Sequence, residues 1–98
     1  MSNDNYKISD SLMKMLMDKY DIITLRIGEG LYTEEAMFFN GKYYRMWFDP
    51  IYDKKGGLMG SVYRINPKNG SAKGTTYRSN VYSDDDVEEM FKSINPKT

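Results

Sequence analysis

The sequence predicts an α+β fold: an antiparallel sheet of about five strands, in the order α-β-β-β-β-β-α, with the helices covering one face. Three observations predict it. The first twenty residues and the last fifteen or so each carry apolar side chains at helical spacing. Between them, five runs rich in β-branched and aromatic residues are separated by Gly, Asn, Asp and Pro. The separating turns are short, and strands joined by tight turns run antiparallel. A chain of 98 residues makes one domain, here residues 1–98 with 1–7 as a flexible polar lead.

Ile8-Ser9 opens the first helix, with Ser9 as the cap and Ile8 placed to staple onto Met13. At 100° per residue, Leu12, Met13, Met15, Leu16, Met17 and Tyr20 cover an apolar arc, opposite Asp10, Lys14 and Asp18. That arc is wider than one sheet contact needs, so a methionine flank is expected in solvent. Ile22 to Ile27 reads as a strand, broken by Gly28-Glu29-Gly30. The strongest local signal follows: Glu35–Phe39, Asn40-Gly41, then Lys42–Phe48, a hairpin with a two-residue type I′ turn. Asp49-Pro50 is expected to end the second of these strands, since proline cannot donate to a ladder. Asp53–Gly57 reads as a loop and Leu58–Ile65 as a strand. Asn66-Pro67-Lys68-Asn69-Gly70 turns it back into Ser71–Ser79. Ser83 is expected to cap a last helix whose first turn, Asp84-Asp85-Asp86, suits the helix dipole. Val87, Met90, Phe91 and Ile94 form its apolar stripe, and Asn95-Pro96 ends it. The run Tyr63–Ser71 resembles the closing hairpin of PepSY-type domains, a likeness of turn chemistry that implies no function here.

Composition narrows the chemistry. The chain has no cysteine and no histidine, which removes disulfides, thiolate metal sites, the best nucleophile and the commonest general base. Carboxylate pairs such as Asp49 with Asp53 or Glu34 with Glu35 remain, but nothing in their spacing makes them converge. Gly28-Glu29-Gly30 lacks the next glycine of a phosphate loop. Asp84-Asp85-Asp86 lacks the alternating ligands and central glycine of a calcium loop, so capping explains it. The reading is a non-enzyme without metal or cofactor. No signal-peptide core or membrane-length apolar run is present, and a cysteine-free chain suits a reducing compartment, so a soluble cytoplasmic protein is expected.

Net charge is zero, yet residues 1–39 carry a balance of −3, residues 40–80 of +6, and residues 81–98 of −3. A solvated face explains such a run, and steering of an anionic partner is the sharper alternative. Three of the four arginines follow a tyrosine, at Tyr44-Arg45, Tyr63-Arg64 and Tyr77-Arg78. Strand side chains alternate, so each arginine points opposite its tyrosine. Extending the alternation from the hairpin places Met37, Phe39, Tyr44, Met46, Phe48, Tyr63, Ile65 and Tyr77 toward a core under the helices. Phe38, Tyr43, Arg45, Trp47, Val62, Arg64 and Arg78 then share the other face. Aromatics among arginines suit protein partners and also base stacking between phosphate contacts. Arginine stems lying over the rings, or a second element covering the face, are the plain readings.

The candidate partner-binding residues are therefore Phe38, Tyr43, Arg45, Trp47, Arg64 and Arg78. The function expected is a small protein–protein binding module, with single-stranded nucleic-acid binding through the same face as the alternative and a homo-oligomer compatible with either. Usage of Lys, Asn, Asp, Tyr and Ile beside only two alanines suggests an AT-rich coding source, hence a phage or mobile-element effector inhibiting a host protein.

Overall fold

The structure, a computed structural model, describes residues 6–96. Its elements are α1 (Asp10–Lys19), β1 (Ile23–Glu29), β2 (Tyr32–Phe39), β3 (Lys42–Pro50), β4 (Leu58–Ile65), β5 (Ala72–Val81) and α2 (Asp84–Ile94). The five strands form one antiparallel sheet in sequential order, and both helices pack on the same face of it. Among the described residues, no helix is long and apolar enough to cross a membrane.

Local chemistry explains the helix ends. Ser9 Oγ accepts the Leu12 N–H at 3.1 Å, satisfying a donor that the first turn of α1 leaves free. Ser83 holds the N-cap position of α2, but its side chain makes no capping bond. Asp86, one turn into the helix, reaches back to accept the N–H of Tyr82, the residue before the cap, at 2.7 Å. The lead expected to be loose is held at its described end, where the Tyr6 N–H donates to Gly56 O at 3.0 Å and its hydroxyl to Asp84; residues 1–5 lie outside the described residues.

The core joins Leu12, Leu16 and Tyr20 of α1 and its end to Val87, Met90, Phe91 and Ile94 of α2, over Met37, Tyr44, Val62 and Val81 of the sheet. Met46 and Phe48 pack at its margin. The unused part of the α1 arc is Met15, which is 57% exposed.

Three features shape the sheet. Gly30-Leu31, rather than Gly28-Glu29-Gly30, makes the first turn, and β1 runs on to Glu29. Asn40 and Gly41, at φ +51° and +77°, make the second, with Phe39 opposite Lys42. Pro50 belongs to β3 as its last residue. Counting from the Phe39–Lys42 hydrogen-bonded pair, the even positions of β3 direct their N–H groups toward β2. The β2–β3 ladder has already stopped at Met37–Tyr44, so Pro50 removes no ladder bond.

That early stop lets the β1–β2 ribbon swing away from β3. Ile27 of β1, Ala36 of β2 and Ile65 of β4 meet in a second apolar cluster, flanked by Tyr43 and Tyr63. Two strands stand between β1 and β4 in the sheet, so the sheet must curl toward its outer face, away from the helices, to bring Ile27 and Ile65 together.

One sequence expectation is inverted. Tyr44 stands opposite Arg64, and Met46 opposite Val62. Directly opposed residues share a face, so Val62 and Arg64 lie on the helix side, while Tyr63 and Ile65 lie outside. The reason is Gly60, whose missing side chain makes room for α2: a Cβ there would stand 2.5 Å from Met90 Sδ. Gly60 must face the helix, and Val62 and Arg64 follow it at period two. Tyr44-Arg45 and Tyr77-Arg78 keep the expected phase, with Tyr77 opposite Val62 and Arg78 opposite Ser61.

Candidate protein-docking face

Among the described residues, no helix or strand covers the outer face. Two cross-strand rows organise it. One runs Ile23–Phe38–Tyr43 across β1, β2 and β3. Phe38 and Tyr43 hold their ring centroids 4.9 Å apart at a 58° tilt, within the range that aromatic pairs favour. The other row runs Trp47–Ser61–Arg78 across β3, β4 and β5. The small, buried Ser61 leaves Trp47 and Arg78 standing on either side of it, and Trp47 is 50% exposed. A recess of about 270 Å³ opens beside Trp47, lined by Arg45, Asp49, Tyr63, Ile65 and Ala72.

Of the six residues expected to meet a partner, five share this face: Phe38, Tyr43, Arg45, Trp47 and Arg78. Arg64 does not. Its guanidinium lies 5.8 Å from the Tyr44 ring centroid on the helix side, and its Nε is buried without a hydrogen-bond partner. Arg45 is on the face but not free. Its buried Nη2 sits 2.7 Å from Glu34 Oε1 at an angle outside hydrogen-bond geometry, so the contact is one of charge with charge.

Sequence reasoning passed over Ile23 and Leu25. They alternate with Thr24 and Arg26 in Ile-Thr-Leu-Arg-Ile, a period-two pattern that marks one apolar face. Register places them beside Phe38 and Ala36, and they are 53% and 37% exposed. Alternation from the hairpin places Tyr63 and Ile65 toward the helices, whereas register sets Tyr63 and Ser61 opposite Arg45 and Trp47, and Ile65 with them, on the outer face. On a central strand buried on both sides, burial does not alternate, so only the Gly60–α2 approach carries the phase.

The cationic segment of the sequence does not become a cationic face. Lys42 and Arg64 lie on the helix side by register. Lys54 and Lys55 sit in the loop before β4, and Lys68 in the β4–β5 turn. Lys73 falls at a register shift of β5, and with Arg45 paired to Glu34, Arg78 is an outer-face cation that makes no ion pair among the described residues. The carboxylates are dispersed as well. Glu34 and Glu35 point to opposite faces of β2. Asp53 accepts the Gly56 and Gly57 N–H groups and the Tyr82 hydroxyl, at 2.8, 3.3 and 2.7 Å. Comparison of the chain with protein-family models, with curated proteins and with solved structures finds no match.

Proposed function

We propose that this chain is a small non-enzymatic binding module that docks a protein partner on the outer face of its sheet. The observation that carries the reading is the apolar series Ile23, Leu25, Phe38, Tyr43 and Trp47, with Ile23, Leu25 and Trp47 exposed and Phe38 and Tyr43 half-buried between them, on a face with no described cover. Soluble domains rarely leave such series uncovered without a use for them. Trp47 acts as the anchor, with the adjoining recess taking a partner side chain and Arg78 meeting a carboxylate at the rim. The dispersed cations favour a protein over a nucleic acid, which needs phosphate contacts along a basic track. A cysteine-free chain fits a reducing cytoplasm. Its composition fits a phage or mobile-element effector that acts by covering a host protein's surface.

The test is affinity capture from the source cell with nuclease present, followed by titration of the recovered partner against variants. Trp47→Ala and Phe38→Ala should each weaken binding by about 2 kcal/mol, roughly 30-fold. Arg78→Ala should mainly slow association and lower its salt response. Arg64→Ala, on the opposite face, should bind as the wild type does. Tight binding to mixed-sequence single-stranded DNA or RNA at low salt, lost on Arg45→Ala with Arg78→Ala, would overturn the reading.

A further inference from the structure

The two edges of the sheet are built differently. β5 is blunted. Its register with β4 shifts twice, leaving Thr76 and Lys73 as extra residues, and most of the strand is polar. Bulges and charged side chains are the usual means of preventing an edge from pairing. β1 carries none of this protection except Arg26 and the terminal Glu29. Its seven residues pair with β2 without a register shift, it contains no proline, and all but Ile27 are exposed.

The turns say which backbone groups this edge offers. Phe39–Lys42 is a hydrogen-bonded pair, so odd positions of β2 bond to β3 and even positions to β1. The even positions Phe38, Ala36, Glu34 and Tyr32 face Ile23, Leu25, Ile27 and Glu29. The Gly30-Leu31 turn independently makes Glu29–Tyr32 a hydrogen-bonded pair, which agrees. Thr24, Arg26 and Gly28 therefore direct their N–H and C=O groups away from the sheet, toward the open edge.

We propose that this edge pairs with the same edge of a second copy, antiparallel and centred on Leu25, joining two five-stranded sheets into one. Only registers that match outward-facing residues use the free backbone groups. With Leu25 on the two-fold axis, Thr24 exchanges hydrogen bonds with Arg26 of the other copy. Leu25 then packs on Leu25 on the outer face, and Ile23 lies against the edge of Ile27, most of which its own chain already buries. Sliding by one pair along the strand to centre on Arg26 sets Arg26 against Arg26, like charges directly opposed. Sliding the other way to centre on Thr24 pairs only residues 23–25 of the strand, against 23–27 in the Leu25-centred register, so charge and paired length together select the latter. A two-fold axis perpendicular to the sheet keeps both helix layers on one side and sets the two outer faces side by side on the other. Ile23 and Leu25 also belong to the apolar series of the proposed docking face, but the pairing leaves Trp47 and its recess free and does not require that anything bind there. One strand pair falls at or below the small end of stable interfaces, about 1,200 Å², so association should depend on concentration.

The experiment is sedimentation equilibrium of the full chain over a concentration series. The wild type should approach twice the monomer mass at high concentration. Thr24→Pro removes an N–H that faces the open edge and not β2, so it should keep the wild-type circular dichroism and remain monomeric. Trp47→Ala should associate as the wild type does. Because the chain has no cysteine, Leu25→Cys places one thiol beside its own copy at the two-fold axis. It should form a disulfide dimer under mild oxidation several-fold faster than Ile23→Cys, which faces Ile27. The cysteine pair reads the register even where Thr24→Pro does not fold. A wild type that stays monomeric throughout, a dimer insensitive to a folded Thr24→Pro, or faster crosslinking at Ile23→Cys would each overturn the proposal.

Discussion

Replacing Gly60 with alanine inserts one methyl group between β4 and α2, and its consequence can be worked from contacts. The new Cβ would stand 2.5 Å from Met90 Sδ, 2.9 Å from Met90 Cε and 2.9 Å from Val81 Cγ2. Carbon atoms rest at about 3.5–4.0 Å, so all three neighbours must yield. A methionine end moves readily in open space, but Met90 is fully buried, as is Val81, and a β-branched side chain has little rotamer freedom. Overpacking of this kind costs roughly 1–3 kcal/mol. The reduced freedom of the unfolded chain returns about 0.4–1 kcal/mol of that. A net loss of about 1–2 kcal/mol should lower Tm by roughly 4–16 °C in a domain this size. Urea melts at unchanged m-value measure the loss, with Gly74→Ala as the control. No atom lies within 4 Å of a Cβ at Gly74, and that variant should match or slightly exceed wild-type stability. In a Met90→Ala background the Gly60→Ala penalty should shrink, because the two positions share one space. A Gly60→Ala protein as stable as the wild type would mean that Gly60, and with it Val62 and Arg64, faces away from α2. That result would return Arg64 to the docking face and undo the helix-side assignment.

Two further outcomes follow from polar contacts of the side chains. Asn95 is 3% exposed, and its Nδ2 donates to Tyr20 O at 2.6 Å, tying the end of α2 to the end of α1; Asn95→Ala should cost about 1–3 kcal/mol in urea melts, and a neutral result would show that water replaces the bond. Tyr6, Tyr20 and Tyr82 all have phenol pKa values pushed above the usual one, Tyr6 first by burial and then by Asp84, Tyr20 by donating to Glu88, and Tyr82 by donating to Asp53. A pKa raised in the folded state gives stability that is complete below the unfolded value, about 10, and is lost as pH rises through the folded one. Stability should therefore fall steadily above about pH 10, less steeply in Tyr82→Phe, and an alkaline limb identical in the two proteins would contradict this.

Legibility in the sequence followed the strength of local signals. The Asn40-Gly41 turn sets its register through backbone torsions alone, and Met37, Tyr44 and Trp47 fall where alternation places them. Ser9 was legible for the same reason, as a side chain that bonds within its own helical turn. Ser83 offered the same signal, yet its side chain makes no capping bond, and the side chain that anchors this helix start is Asp86, which reaches back to the Tyr82 N–H before the helix. The phase of β4 was harder to read. Leu58–Ile65 is central, its two faces are nearly equally buried, and the 51–57 loop before it transmits no register. The information sat in Gly60 and in a helix some thirty residues later. The charge run misled for a related reason: sign along a sequence says nothing about which face of a strand, or which loop, presents each lysine.

The curl of the sheet explains why this outer face differs from an ordinary wet one. It divides the apolar residues there into two sets. Ile27, Ala36 and Ile65 gather on the concave side and are nearly fully buried, whereas Ile23, Leu25 and Trp47 lie beyond its reach. The Arg45–Glu34 pair spans the same bend, but with Glu34 more than half exposed such a pair contributes at most about 1 kcal/mol. Burying one aliphatic side chain contributes roughly 1.5–3 kcal/mol, so the apolar cluster, not the ion pair, holds the bend. A tighter curl that swallowed Trp47 as well would bring the β1–β2 ribbon across β3, closing the recess beside Trp47 and hiding the β1 edge. The observed bend stops short of both. It lets the monomer bury what its own strands can reach and leaves Ile23, Leu25 and Trp47 exposed, the residues on which the proposed docking and the proposed edge pairing both draw.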